Sequence, residues 1–379
     1  MSIRQANPGS IVKPGFNPLA VPAPAYTYYL QGWGNNDNGE LGINNNQDGK
    51  SSPIQVGSQT YWTSVDSGNN HTVAVTSEGT MFAWGYNANG QTGQGDTTNR
   101  SSPIQIGALT TWSKAGAGDY QSWAIKTDGT LWAWGRNDTG TLGINSTLYR
   151  SSPVQVGSLT TWSNIFPGYE HCMAIKTDGT LWAWGGGGSG QLGQNNVVSK
   201  SSPVQIGSLT TWSKAASGGF GSWAIKTDGT FWAWGRNSLG QLGLNDTTYR
   251  SSPVQVGALT NWLNLACGTY HVIAVKTDGT LWAWGYNSVQ AQLGDNTAIN
   301  RSSPKQIGAL TTWATPGAGQ YTSYAITTSG ALYSWGRNHK GQLGTNVTSY
   351  SVSSPVQVGS NTTWYFATGG ASFTIALLY

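Results

Sequence analysis

The chain has 379 residues, of which 37% are hydrophobic, 12% aromatic and only 9% charged, and it contains 53 glycines and 20 tryptophans. An average domain is about one quarter charged, and both helical and disordered proteins need charged residues that this chain lacks. The net charge of +4 is too small to indicate a nucleic-acid-binding protein by itself. Abundant Asn, Ser, Thr, Gly and Trp favour strands and turns, so an all-β protein is expected.

The N-terminal 25 residues precede the repeats described below and contain five of the 14 prolines. Closely spaced prolines favour an extended segment that does not fold alone. We expect residues 1–25 to be a docking arm that binds other structural proteins of an assembly. Its predicted anchors are the apolar side chains between the prolines, namely Ile11, Val12, Phe16, Leu19 and Val21.

From residue 26 to residue 379, three markers recur seven times at a period of about 50 residues, which is typical of a repeat architecture. The first marker is Trp-Gly, at Trp33, Trp84, Trp134, Trp184, Trp234, Trp284 and Trp335. The second is Ser-Ser-Pro, at Pro53, Pro103, Pro153, Pro203, Pro253, Pro304 and Pro355. The third is another tryptophan, at Trp62, Trp112, Trp162, Trp212, Trp262, Trp313 and Trp364.

Each repeat contains a hairpin pattern, such as residues 122–134, with Asp128-Gly129 at its turn. Two weaker strands, around residues 112–118 and 154–156, bring the repeat to four strands, the size of a propeller blade. Residues 364–379 hold only the first half of a repeat, and residues 26–57 hold only the second half. We therefore predict a closed seven-bladed β-propeller over residues 26–379, with residues 373–378 pairing with residues 27–33 in a shared last blade.

One copy of the repeat shows five motifs in order: Gly168-Tyr-Glu-His171, Ala174-Ile175, Asp178-Gly179, Trp184-Gly185 and Gly190-Gln-Leu-Gly193. A repeat with these motifs resembles that of the regulator of chromosome condensation family. The resemblance covers about residues 26–379 and implies a seven-bladed propeller, with a GTPase or chromatin as partner. The family's histidine is present as His71, His171 and His271, and is replaced by Gln121, Gly221, Thr322 and Ser372. No insertion resembles the wedge with which the chromatin-bound member engages its GTPase.

Catalytic and metal-binding patterns are weak in this sequence. The three repeat histidines fall in alternate blades, which separates them too far to bind one metal ion. The Asp-Gly aspartates are expected to form turns, and no Gly-x-Ser-x-Gly precedes a helix. We therefore predict a protein that is not an enzyme and has no metal or other cofactor. Tyr86, Tyr149, Tyr249 and Tyr286 are candidates for exposed contacts with a carbohydrate.

A basic residue precedes Ser-Ser-Pro in six of the seven repeats, and Val352 takes its place in the other. We call these six residues the basic girdle: Lys50, Arg100, Arg150, Lys200, Arg250 and Arg301. They are expected on one side of the disc. They form either a solvated rim, with alkyl stems over tryptophans, or a binding surface for an anionic partner.

The sequence favours a non-enzymatic docking protein of a larger assembly, which binds through the arm and one face of the disc. The proline-rich arm loosely resembles leaders of bacteriophage structural proteins, which implies a virion protein, in the tail or at an accessory position. Alternatives are a host-surface glycan adhesin and a regulatory propeller that binds a GTPase or chromatin. No secretory signal, membrane span or disulfide framework is recognisable, so synthesis in a host cytoplasm is expected. Nucleic acid is not expected as a partner.

Overall fold

The computed structural model describes residues 28–379, in which every regular element is a β-strand. The 28 strands form seven antiparallel sheets of four strands each. Each sheet packs against the next in chain order and the last packs against the first, so the ring closes. The predicted all-β, closed seven-bladed propeller is confirmed.

The blades are numbered in chain order, starting with the first complete one. Blade 1 contains β3 (Trp62–Ser67), β4 (His71–Thr76), β5 (Met81–Gly85) and β6 (Arg100–Gln105); blade 2 contains β7 (Trp112–Ala117), β8 (Gln121–Lys126), β9 (Leu131–Gly135) and β10 (Arg150–Gln155). Blade 3 contains β11 (Trp162–Pro167), β12 (His171–Lys176), β13 (Leu181–Gly185) and β14 (Lys200–Gln205); blade 4 contains β15 (Trp212–Ser217), β16 (Gly221–Lys226), β17 (Phe231–Gly235) and β18 (Arg250–Gln255). Blade 5 contains β19 (Trp262–Cys267), β20 (His271–Lys276), β21 (Leu281–Gly285) and β22 (Arg301–Gln306); blade 6 contains β23 (Trp313–Ala318), β24 (Thr322–Thr327), β25 (Leu332–Arg337) and β26 (Ser351–Gln357). Blade 7 contains β27 (Trp364–Gly369), β28 (Phe373–Leu378), β1 (Tyr29–Gly34) and β2 (Lys50–Gln55).

The first strand of each blade lies nearest the axis, and its C-terminal end lines a central cavity. The chain then moves outward strand by strand to the fourth, which forms the outer edge. Because the strands are antiparallel, the first-to-second and third-to-fourth connections share one side of the disc, which we call the loop face. The opposite side, the turn face, carries the second-to-third turns and the connections to the next blade.

Blade 7 is built from both ends of the described chain, in the order β2-β1-β28-β27. β1 pairs with β28 along its whole length, from Tyr29 opposite Leu378 to Gly34 opposite Phe373. The predicted pairing of the two ends is confirmed from Tyr29 onward, while Thr27 lies outside the described residues. This pairing covers the two sheet edges that would otherwise be exposed.

The outermost strands differ in extent from the prediction. β10 begins at Arg150 rather than at residue 154, and a bulge between Arg150 and Val154 interrupts its pairing with β9. Pro153 lies inside this bulge. A proline has no backbone N–H to donate, so it is tolerated in a strand at an edge or a bulge. The periodic Ser-Ser-Pro therefore belongs to the outer strand of every blade.

The predicted turn-forming role of the Asp-Gly pairs is confirmed. Asp128 Oδ1 accepts hydrogen bonds from the backbone N and the Oγ1 of Thr130, at 2.9 Å and 2.7 Å. Gly129 has a φ of 77°, which the turn requires. These hydrogen bonds lower the pKa of the Asp128 carboxyl. The same bonds are made by Asp178, Asp228 and Asp278.

The repeat histidines connect neighbouring blades. His71 Nε2 lies 2.8 Å from Ser122 Oγ in blade 2, and Ser122 Oγ donates to the carbonyl oxygen of Gln91 at 2.8 Å. Trp134 Nε1 donates to the same carbonyl oxygen at 2.9 Å. Because the Ser122 hydroxyl donates its hydrogen bond to the Gln91 carbonyl oxygen, the bond between His71 and Ser122 must be donated by Nε2–H of His71. Nδ1 of the neutral imidazole is therefore unprotonated. Equivalent networks contain His171 with Ser222, Gln191 and Trp234, and His271 with Ser323, Gln292 and Trp335.

The intervening blades replace the imidazole with a large aromatic ring. The histidine position is occupied by Gln121, Gly221 and Thr322 in blades 2, 4 and 6, and two residues later come the fully buried Trp123, Trp223 and Tyr324. A Cβ on Gly221 would lie 2.6 Å from the Trp223 ring, so the ring fills that space. In blade 7 the position belongs to Phe373, opposite Gly34 as His71 is opposite Gly85. The sequence assignment of Ser372 to this position was wrong by one residue.

Candidate functional site

Seven glycines surround the axis where the cavity meets the loop face, and we call them the glycine collar: Gly68, Gly118, Gly168, Gly218, Gly268, Gly319 and Gly370. A Cβ on any of them would lie 2.2–3.0 Å from the carbonyl oxygen of the next collar glycine. None of the seven has a positive φ, so glycine is required here by crowding and not by backbone conformation. The collar brings the seven innermost strands close together.

The cavity inside the ring has a volume of about 130 Å³ and is lined mainly by small and apolar residues. Among the described residues, the charged side chains that line it are Asp66 and Asp119, in neighbouring blades. Both carboxylate oxygens of Asp66 accept hydrogen bonds, Oδ2 from Ala117 N and Oδ1 from Thr368 Oγ1, both at 3.1 Å. The cavity is therefore acidic on one side.

Asp119 lacks the partners that Asp66 has. Its side chain is 6% exposed, and its Oδ2 is sealed from solvent with no hydrogen-bond partner within residues 28–379. Burial raises the pKa of this carboxyl to about 7, although the Tyr169 hydroxyl and the charge of Arg136 act in the opposite direction. The carboxylate of Glu170 adds to the increase.

Around the cavity, the loop face carries a ring of partly exposed aromatic and arginine side chains, which we call the aromatic–arginine belt. Each member either follows a collar glycine by one or two residues or directly follows a Trp-Gly pair. The members are Tyr86, Tyr120, Arg136, Tyr169, Phe220, Arg236, Tyr270, Tyr286, Tyr321 and Arg337.

Arginines in the belt are stacked against its rings. The Arg236 Cζ lies 5.7 Å from the Phe220 ring centroid and 5.6 Å from that of Tyr270. Arg136 lies 5.8 Å from the Tyr120 ring in the same manner. Cation–π stacking holds each guanidinium in one orientation. One N–H group of each belt arginine is bound within its own loop, by Asp138, Ser238 or His339, and the remaining N–H groups are available to a ligand.

Aromatic pairs continue the belt between arginines. The ring centroids of Tyr169 and Phe220 are 5.9 Å apart, across the boundary between blades 3 and 4. Further pairs join Tyr86 to Tyr120 at 6.0 Å and Tyr270 to Tyr286 at 6.4 Å. The belt runs from blade 1 to blade 6 and stops at blade 7, where the corresponding residues are Asn35, Ala371 and Ser372. The loop face is therefore not seven-fold symmetric.

All six basic-girdle residues lie at equivalent positions, at the start of the outermost strands beside the loop face. Three of them are already neutralised: Arg100 by Asp96 at 2.5 Å, Arg250 by Asp246 at 2.6 Å and Arg301 by Asp295 at 2.7 Å. Within the described part of the chain, Lys50, Arg150 and Lys200 make no ion pair. Lysines that do lie over tryptophans are Lys126, Lys176, Lys226 and Lys276, on the turn face.

The predicted arm residues Ile11, Val12, Phe16, Leu19 and Val21 lie outside the described residues. The three repeat histidines are buried in separate blade interfaces, as their spacing predicted. In residues 28–379, no group of three or more His, Cys, Asp or Glu side chains is arranged to bind a metal ion. The same residues include no helix with the length and hydrophobicity to cross a bilayer.

The profile of the RCC1-like domain matches residues 32–376. This chain belongs to the RCC1-like family. Over 73 residues it is also 42% identical to the ultraviolet-B receptor UVR8 of Arabidopsis thaliana. That match covers 19% of this chain and 16% of UVR8.

Solved structures show the same RCC1-like propeller. Prp20p of Saccharomyces cerevisiae, described with its binding to Gsp1p and histones, matches with a TM-score of 0.83 and 22% identity over 94% of this chain and 92% of its own. Human WBSCR16 matches with a TM-score of 0.83 and 19% identity over 93% of this chain and 100% of its own. Yeast RCC1 bound to Kap60 matches with a TM-score of 0.83 and 21% identity over 100% of this chain and 94% of its own. At these identities the likeness establishes the fold alone.

Sequence reasoning identified only two belt residues of this RCC1-like chain, Tyr86 and Tyr286, as exposed contacts. Tyr149 and Tyr249 lie farther out, at 44% and 47% exposure, in the loops before β10 and β18. The missed signal was variation between repeats. The residues after the collar glycine and after Trp-Gly change from blade to blade, whereas the structural motifs beside them recur.

Proposed function

We propose that this RCC1-like chain is a non-enzymatic protein-binding propeller whose partner is held on the aromatic–arginine belt. The belt itself is the observation that carries the proposal. Tyr, Phe and Arg are enriched among residues that dominate binding energy at protein interfaces, because they contribute large contact areas with few rotatable bonds. An incomplete ring also gives the disc one orientation relative to its partner.

Binding rather than catalysis is supported by how the reactive side chains are used. The repeat histidines form buried hydrogen bonds between blades, and burial lowers the pKa of each to about 3. The Asp-Gly aspartates are engaged in turns. These groups stabilise the disc and are not presented to a substrate.

The partner class with most support is a GTPase or a chromatin protein, with this chain as a regulatory propeller. Prp20p, which has the same propeller fold, is described as binding Gsp1p and histones, so a GTPase or a chromatin protein is the first candidate for this chain. Docking within a bacteriophage virion and glycan adhesion remain predictions from the sequence. They are supported by the proline-rich arm and by the exposed tyrosines, respectively.

Site-specific photocrosslinking in the producing cells tests the belt. A photoreactive phenylalanine analogue at Phe220 should yield a discrete protein adduct that mass spectrometry identifies. The same analogue at Tyr249, which is exposed on the same face but outside the belt, is the matched control. Adducts from Tyr249 together with none from Phe220, Tyr120 or Tyr270 would contradict the proposal.

Deletion of residues 1–25 tests the docking arm separately. Within residues 28–379 each of the seven sheets already has four strands, so we expect the shortened protein to fold with an unchanged melting temperature. If the arm docks the disc onto an assembly, co-sedimentation with particles should be abolished. Substitution of Phe16, Leu19 and Val21 by Ser in the full chain should have the same effect. Undiminished co-sedimentation of both variants would remove the arm from the docking hypothesis.

A further inference from the structure

The Asp119 carboxyl is the one charged group lining the central cavity, among the described residues, that lacks a matching partner. Asp66 beside it is held by backbone and hydroxyl donors, whereas the Oδ2 of Asp119 has none in residues 28–379. A buried acceptor without a donor costs about 1–3 kcal/mol, and more when it is charged. A donor in the cavity, which Asp119 lines, would supply this hydrogen bond after a rotation of the carboxyl that turns Oδ2 toward it.

The surrounding charges favour a cation as that donor. No basic residue of the described chain lines the cavity. Arg136 is nearby, but its guanidinium is bound to Asp138 on the outer side. Glu170 lies close enough to raise the pKa of the Asp119 carboxyl, so the two negative charges oppose each other until a positive charge arrives.

The shape of the site favours a slender cation. At the level of the glycine collar the cavity is bordered by backbone, and its volume is only about 130 Å³. This space suits an alkyl chain that ends in an ammonium group and is too small for a folded element. Tyr169 also lines the cavity, and its hydroxyl lies beside the Asp119 carboxyl.

We propose that the central cavity binds a primary ammonium group, supplied by a lysine side chain of the protein held on the belt, with Asp119 as its acceptor. The source of the lysine rests on the proposed function, whereas the ammonium site does not. The lysine Nζ donates hydrogen bonds to the Asp119 carboxylate, and Asp66 adds to the negative potential of the cavity. The belt then provides contact area, and the cavity selects partners with a protruding lysine.

Ligand-observed NMR with n-butylammonium chloride tests the site without any partner. The wild-type protein should bind n-butylammonium and should not bind n-butanol, which has a similar shape but no charge. Asp119→Asn should weaken n-butylammonium binding by about tenfold or more, as expected when a hydrogen bond to a charged group is removed. Glu170→Gln, which removes a neighbouring charge outside the cavity lining, should weaken it less.

Equal binding of n-butanol and n-butylammonium by the wild-type protein would overturn the inference even if Asp119→Asn fails to fold. Equal n-butylammonium affinities of the wild type and a folded Asp119→Asn variant would overturn it as well. A Phe220→Ala/Tyr270→Ala variant should keep the ammonium site. If n-butylammonium binds but no partner is crosslinked, the proposed function of the belt is wrong and the ammonium site stands. If a partner is crosslinked but n-butylammonium does not bind, the ammonium site is wrong and the belt stands.

Discussion

Single buried histidines in blades 1, 3 and 5 each connect their blade to the next one in the ring. His71, His171 and His271 are 0% exposed, and in each the Nδ1 atom has no partner within the described chain. Protonation would place a positive charge on this nitrogen without solvent or an acceptor nearby. Burial accordingly lowers each pKa from 6.5 to about 3.

Stability should therefore decrease in acid. The unfolded chain takes up protons at these histidines below about pH 6.5, whereas the folded chain does so only near pH 3. The full stabilisation is present above pH 6.5 and is lost as pH decreases toward 3, by at most about 1.4 kcal/mol per pH unit for each histidine. Denaturant unfolding at pH 7.5 and pH 5 measures this decrease.

The chain supplies its own control for this experiment, because blade 2 has Gln121 where blades 1, 3 and 5 have histidine. Changing all three histidines to Gln should lower stability at pH 7.5 and reduce its further decrease at pH 5. Asp119, whose raised pKa changes stability in the opposite direction with pH, is the same in both proteins. If the triple variant loses as much unfolding free energy between pH 7.5 and pH 5 as the parent does, the histidines do not cause the acid sensitivity.

Among the strands, β28 has the most consequential position, since it joins the two ends of the described chain. It pairs with β1 on one side and β27 on the other. Phe373, Ile375 and Leu377 are at most 1% exposed, and burial of each contributes about 1.5–3 kcal/mol. Their sum is comparable with a typical total stability of about 5–15 kcal/mol.

Deletion of residues 373–379 should therefore abolish cooperative unfolding or strongly lower the melting temperature. Removal of Tyr379 alone, which is 48% exposed, is the control and should have a small effect. Calorimetry of both truncated proteins against the full chain decides the result. A parent-like melting curve for the longer deletion would disprove the structural role of the shared blade.

The fold could be predicted from the sequence because its signals repeat. Trp33, Trp84 and their equivalents occupy the same place in every blade, so seven copies confirm one another. The prediction was wrong where a repeat departs from the pattern, as at Ser372, since the two glycines 369 and 370 allow an alignment shifted by one residue. Asp119 could not be recognised, because only the closed ring brings it to the cavity beside Asp66.

The two faces of the disc differ in how regularly their side chains repeat from blade to blade. The turn face repeats from blade 2 to blade 5, with one Lys–Trp stack in each. The loop face is irregular in its belt, its cavity and its rim. A repeat protein that varies only certain positions can keep its core packing while changing its ligand, so the irregular face is the one that carries specificity.

The rim charges allow a last prediction about the whole disc. If the basic girdle contacts an anionic surface, the unpaired Lys50, Arg150 and Lys200 are available at once, whereas the other three cations must first leave Asp96, Asp246 and Asp295. Changing the unpaired set to Gln should weaken binding to heparin and duplex DNA, used as model polyanions. It should also flatten the salt dependence, by about 0.9 in the slope of log affinity on log salt for each DNA phosphate that the variant no longer neutralises.

Changing Arg100, Arg250 and Arg301 to Gln is the matched control, because it alters the net charge by the same amount. Its effect on the salt slope should be smaller, so a difference between the two variants reports direct contacts and not the overall potential of the disc. Exposed charges contribute about 0–1 kcal/mol each, so only the loss of Arg301, whose partner Asp295 is 2% exposed, should lower stability noticeably. If both variants bind like the parent from low to high salt, the girdle is a solvated rim, and recognition by the loop face depends on the belt and the cavity.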